Sequence, residues 1–141
     1  MDEAGKTSGA VAEPARTVAL IAHDGKKDEM VRFALAHRAD LERFDLIATG
    51  TTGQRLVEAT GLAVTRMKSG PYGGDAQIAA LVAEGGIVAT LFLVDPLYAH
   101  PHEPDIQGLL RICNVYNVPV ATNEAAAHLV ITGLARTFAP D

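Results

Sequence analysis

This chain has no tryptophan, a single cysteine and no apolar run near the roughly 20 residues that span a bilayer. Each gap excludes something. The lone Cys113 cannot close an internal disulfide or share a thiolate metal site, so it reads as a small buried apolar side chain. The N-terminus lacks the basic-then-apolar order of a secretory signal, and the expectation is a cytoplasmic protein with no membrane contact. Positive charge is also in short supply: 12 Lys and Arg stand against 17 Asp and Glu, scattered without a stripe, for a net charge of −5. Nucleic acid is therefore not an expected partner.

What the chain does have is a globular balance, 48% apolar and 21% charged over 141 residues, which suits one domain with an ordinary core. Residues 1–16 are small, polar and aperiodic and read as a flexible tail, 17–133 as a single α/β domain, and 134–141 as a C-terminal tail. Within the domain, apolar runs of strand length cover 17–22, 45–49, 63–68, 88–94 and 118–121. Helical patterns fill the intervals at 25–38, 51–60, 75–84 and 104–116, and a last one runs over 123–131. Met30, Phe33, Ala34 and Leu41 share one helix face; Ile106, Leu109, Leu110, Cys113 and Tyr116 share another. Gly61 marks a helix stop and Asn123 a helix start. Strands that are apolar throughout, alternating with amphipathic helices, predict a doubly wound, three-layer α/β/α domain with a five-stranded parallel sheet.

In such sheets ligands bind beyond the carboxyl ends of the strands, near the switch in strand order. The polar residues fall there. His23-Asp24 follows the first strand, Thr49-Gly50-Thr51-Thr52-Gly53 the second, and Ser69-Gly70-Pro71-Tyr72-Gly73-Gly74-Asp75 the third. Asp95-Pro96, with His100, His102, Glu103 and Asp105 behind it, follows the fourth, and Thr122-Asn123 the fifth.

The Ser69–Asp75 stretch places three glycines and then a carboxylate between a strand and a helix. Glycines let a ligand approach the backbone, and a helix N-terminus beyond them suits an anion. Asp75 is either the N-cap of that helix or a working carboxylate. The Thr-rich turn at 49–53 has the hydroxyls and backbone of an anion cradle, although a Thr-rich helix start is often a simple cap. It is neither a Walker A loop nor a GxGxxG fingerprint. Lys27, one helical turn after His23, is placed to supply charge to a bound phosphate, against the commoner fate of a solvated Lys.

Together these strings, with Pro101-His102-Glu103-Pro104-Asp105 and the closing Pro119-Val-Ala-Thr-Asn123, resemble the methylglyoxal synthase family in order and spacing over about residues 18–131. The resemblance implies a lyase that converts dihydroxyacetone phosphate into methylglyoxal and inorganic phosphate, with no metal or organic cofactor, in a phosphate-inhibited homohexamer. It implies phosphate binding by Lys27, Thr49, Gly50, Thr51, Thr52, Ser69 and Gly70, and substrate-oxygen contacts from His23 and His102. Proton transfer would fall to Asp75, supported by Asp105 and Asp95.

The residue types make chemical sense of that activity. A carboxylate can deprotonate a carbon next to a ketone if the developing enolate oxygen is stabilised, and a neutral His, with His102 as the candidate, can donate that hydrogen bond. The leaving dianion then needs the cradle and Lys27. The alternative is a sensing domain like the allosteric domain of carbamoyl-phosphate synthetases, which binds a phosphorylated effector without chemistry. Such a module has no use for Asp75, Asp95, His102 and Asp105 together. A phosphoacceptor receiver domain would need an acidic pair where this chain has His23-Asp24.

Overall fold

The computed structural model describes residues 15–98 and 103–138. Residues 1–14 of the expected N-terminal tail, residues 99–102 with His100 and His102, and the last residues of the expected C-terminal tail lie outside them.

Strand β1 (Thr17–Ala22) leads through a 3₁₀ turn (Asp24–Lys26) into α1 (Lys27–Ala36), followed by the short α2 (Arg38–Leu41). Next come β2 (Asp45–Ala48), α3 (Gly50–Thr60) and β3 (Thr65–Arg66). A second 3₁₀ turn (Gly70–Tyr72) precedes α4 (Gly74–Ala83), and β4 (Ile87–Leu93), α5 (Glu103–Val115), β5 (Val120–Ala121) and α6 (Glu124–Thr137) complete the chain. All pairings are parallel, in the order β3-β2-β1-β4-β5. The expected doubly wound, five-stranded parallel sheet is what forms.

The middle strand explains the layers. Along β1, Val18, Leu20 and Ala22 belong to an apolar cluster with Met30, Phe33, Leu41, Leu56 and Ile131, while Ala19 and Ile21 belong to another with Ile78, Val82, Ile106, Leu109 and Cys113. Alternate side chains of a strand point to opposite faces, so α1, α2, α3 and α6 cover one side and α4 and α5 the other. Each fully buried Leu or Phe, such as Leu20 or Phe92, contributes about 1.5–3 kcal/mol. Cys113 is fully buried beside Thr90, as its isolation in the sequence suggested, and burial pushes its thiol pKa up.

Several boundaries differ from the sequence reading. Helix 25–38 begins as a 3₁₀ turn and breaks at His37, whose backbone leaves the helical region at φ −112°, ψ 23°. Strand 63–68 shrinks to Thr65–Arg66 at the sheet edge; beyond it the Met67 N–H still donates to Ala48 O at 2.7 Å, while the N–H of Lys68 donates to Gln77 Oε1 at 2.8 Å. Tyr116 is half exposed and leaves the buried stripe of α5. Helix α6 continues to Thr137, past the expected end at Ile131 and into the residues read as a tail. Its last carbonyls explain this, since Arg43 donates to Ala135 O and Phe138 O at 3.1 and 2.6 Å.

Candidate active site

A strand order that places β1 beside β4 puts the switch point between their carboxyl ends. His23 and Asp95 sit there. The His23 N–H donates to Leu93 O at 3.1 Å, its ring stands edge-on to Phe92, and its Nδ1 accepts the backbone N–H of Asp95 at 2.9 Å. An acceptor at Nδ1 means a neutral ring with its proton on Nε2. His23 is buried, so this polar edge is held in place by the protein rather than by water.

Around this pair lies a cavity of about 430 Å³ lined by His23, Lys27, Thr49, Thr51, Ser69, Gly70, Asp75 and Asp95. These eight were expected from sequence, and they come from the ends of four strands. Lys27 begins α1 and turns back: Nζ donates to Ala22 O at 2.9 Å and pairs with Asp24 Oδ1 at 3.0 Å. Its ammonium is thus fixed at the end of β1, a departure from the solvated Lys. Thr49 caps α3 with extended backbone and no side-chain bond to the helix, so its hydroxyl is not committed to capping.

Asp75 is fully buried in the first turn of α4. Gly73, at φ 100°, occupies the N-cap position, so the capping role considered for Asp75 is not the one it has. A glycine is required just after the cap as well, because a Cβ on Gly74 would collide with Lys68 O. This close approach seats the positive end of α4 against the loop that carries Ser69 and Gly70, and the Gly74 N–H donates to Ser69 O at 3.1 Å.

Other expected residues stand apart from the cavity wall. Thr52 is buried beneath it, its hydroxyl directed at Ala22 O at 3.4 Å. Gly50 packs against Ser69, where a Cβ would meet Oγ at 2.8 Å, and it borders an open groove lined also by Thr51, Arg66 and Lys68. Asp105 lies exposed in the first turn of α5 and is not among the lining residues. His102 falls outside the described residues. Sequence reasoning gave no role to Pro71 and Tyr98, which line the cavity, or to Gly25, whose missing side chain leaves room for the Asp95 carboxylate. Among the described residues no group of three or more His, Cys, Asp or Glu is arranged to hold a metal ion.

Residues 29–122 match the family described as MGS-like domain. A methylglyoxal synthase of Thermus thermophilus is 62% identical over 116 residues, covering 82% of this chain and 92% of that protein. One from Cupriavidus taiwanensis is 58% identical over 123 residues, covering 87% of this chain and 92% of the relative. The crystal structure of methylglyoxal synthase from Elizabethkingia anophelis superposes with a TM-score of 0.79 at 42% identity, over 84% of this chain and 79% of that one. A cradle, a buried carboxylate and a neutral histidine around one cavity thus occur in a sequence and a fold shared with these enzymes, and the chain belongs to the methylglyoxal synthase family.

Proposed function

We propose that the protein is a carbon–oxygen lyase that converts dihydroxyacetone phosphate into methylglyoxal and inorganic phosphate. The observation that carries this reading is the buried Asp75 in the same cavity as Lys27, Thr49 and Ser69. A carboxylate facing a phosphate cradle would oppose simple binding of a dianion, yet it is what proton abstraction beside a held phosphate ester requires.

Asp75 takes a proton from the hydroxymethyl carbon, and the electron pair passes to the ketone oxygen, giving an enediolate. The Nε2–H of His23 donates to that oxygen, a part for which sequence pointed to His102; its neutral ring suits the task, because an imidazolium would protonate the oxygen outright. The terminal hydroxyl of the enediolate then passes its proton to the departing phosphate oxygen, its carbon becomes the aldehyde, and the double bond shifts toward the phosphate-bearing carbon. Phosphate departs with the electron pair of the C–O bond. The enolate left behind takes back at carbon the proton held by Asp75 and becomes methylglyoxal.

Lys27, Thr49, Thr51, Ser69 and Gly70 hold the phosphate before and after cleavage, with Thr52 and Gly50 shaping the cradle from behind. Asp95 orients His23 through its backbone. Asp105 acts from the loop side as a supporting acid. The assembly is a homohexamer in the cytoplasm, with phosphate as its inhibitor and no metal or organic cofactor. Light scattering that returned a monomer at working concentration would sink the hexamer.

The deciding assay incubates dihydroxyacetone phosphate with the protein and EDTA and measures methylglyoxal and phosphate together. Equal release of both is expected. Tight phosphate binding with no turnover would instead favour the effector-sensing alternative.

A further inference from the structure

Apart from the cavity, where the break between α1 and α2 meets α6, titratable side chains stand in a row. Asp40 Oδ2 lies 3.9 Å from His37 Nδ1, His37 Nε2 lies 2.5 Å from His128 Nδ1, and His128 Nε2 lies 3.3 Å from Glu124 Oε2. The Phe33 ring packs on both imidazoles, with centroids 4.9 and 5.2 Å away. The His37 side chain is only 16% exposed.

The proton inventory of this row is restricted. His128 Nε2 faces a carboxylate and carries hydrogen, so in the neutral ring Nδ1 is the acceptor and His37 Nε2 the donor. One further proton fits on His37 Nδ1, toward Asp40. A second charge does not fit, because it would set two N–H groups head to head across 2.5 Å with two positive charges in contact.

We infer that the His37–His128 pair is a pH-sensitive clasp, which fastens α6 to the α1–α2 break while the rings share no more than one charge and opens when both are charged. The groups facing the pair are Asp40 from α2, Glu124 from α6 and Phe33 from α1. Behind Asp40 stand Arg43, 4.0 Å from its Oδ1, and the Arg38–Glu42 ion pair. Burial first, and His128 second, hold the His37 pKa below 6.5 against the pull of Asp40. A depressed imidazole pKa stabilises the fold above 6.5, and that contribution is lost as pH falls through the lower folded value. The clasp sits one turn into α6. Just before that helix, Thr122 O accepts the N–H of Val94, the neighbour of Asp95, so the helix start and the cavity wall share a hydrogen bond.

Hydrogen exchange of the native protein at about pH 7.5 and about pH 5.5, corrected for intrinsic rates, tests the clasp, with α5 as the internal control. Peptides of α6 should open at least about tenfold more at the lower pH relative to those of α5. In His128→Gln the acid response of α6 should fall to that of α5. Equal acid opening of both helices in the native protein, or an unchanged response in the variant, would overturn the proposal. If the variant does not fold, imidazole nitrogen NMR of the native protein decides. The second ring must become charged only where α6 loses protection, and two charged rings beneath a protected α6 contradict the clasp.

Discussion

The backbone N–H of Asp95 donates to Nδ1 of His23 at 2.9 Å, tying the loop after β4 to the loop after β1 across the switch point. Because this bond selects the tautomer, imidazole nitrogen NMR at neutral pH should show His23 with an unprotonated Nδ1 and a protonated Nε2. A proton found on Nδ1 would remove His23 as the donor to the enediolate. His23→Gln, which offers an amide in a different place, should lower turnover by about 10²- to 10³-fold.

Asp75→Asn keeps the size of the side chain and, since Gly73 holds the cap, disturbs no capping bond. Folding, assembly and phosphate binding should survive. Turnover should fall by roughly three orders of magnitude, as for loss of a positioned base. Exchange of the substrate's hydroxymethyl proton with solvent deuterium should fall in parallel. Exchange at the native rate would move the base to Asp105, despite its exposed position in α5.

Millimolar phosphate should raise the melting temperature by binding the folded state alone, and Lys27→Ala should abolish most of that rise. The variant also loses the bond from Nζ to Ala22 O, worth about 1 kcal/mol, so its melting point without phosphate should drop slightly. An undiminished phosphate response would place the cradle elsewhere.

Gly25→Ala should separate positioning from stability. Its new methyl would stand 2.6 Å from Asp95 Oδ2, the mobile end of a side chain, so the carboxylate shifts instead of the backbone. Melting should change little while kcat falls severalfold with KM nearly constant. A KM effect alone would mean that Asp95 serves binding.

Much of this fold was legible because local pattern and final environment agree. Thr17–Ala22 is apolar throughout and becomes the middle strand, covered on both faces. Gly61 stops α3 at φ 74°, and Asn123 caps α6 by accepting from Ala126 N. The errors arose where a distant partner decides. Nothing near Thr132-Gly133 announces that α6 continues, because the group that satisfies its end is Arg43, on the other side of the sequence. For the site, the carboxyl-end rule collected loops that line the cavity, but it cannot say which way a side chain turns. Thr51 lines the cavity and the adjacent Thr52 is buried beneath it; Tyr98 joins the wall without any local mark. The His37–His128 pair, 91 positions apart, had no signal at all.

The parallel pairing of β1 with β4 also dictates an order of events as the chain folds. The residues proposed to hold phosphate all lie ahead of β4, but the histidine proposed to act beside them waits for a partner 72 positions downstream. Closing so long a loop is slow compared with forming any of the helices inside it. Activity in a refolding reaction should therefore return no earlier than exchange protection of Ile87–Leu93, and its appearance beforehand would break this sequence. A nascent chain that has not yet delivered β4 lacks the N–H that sets the His23 ring, so the reactive aldehyde is not expected to form before that strand is in place.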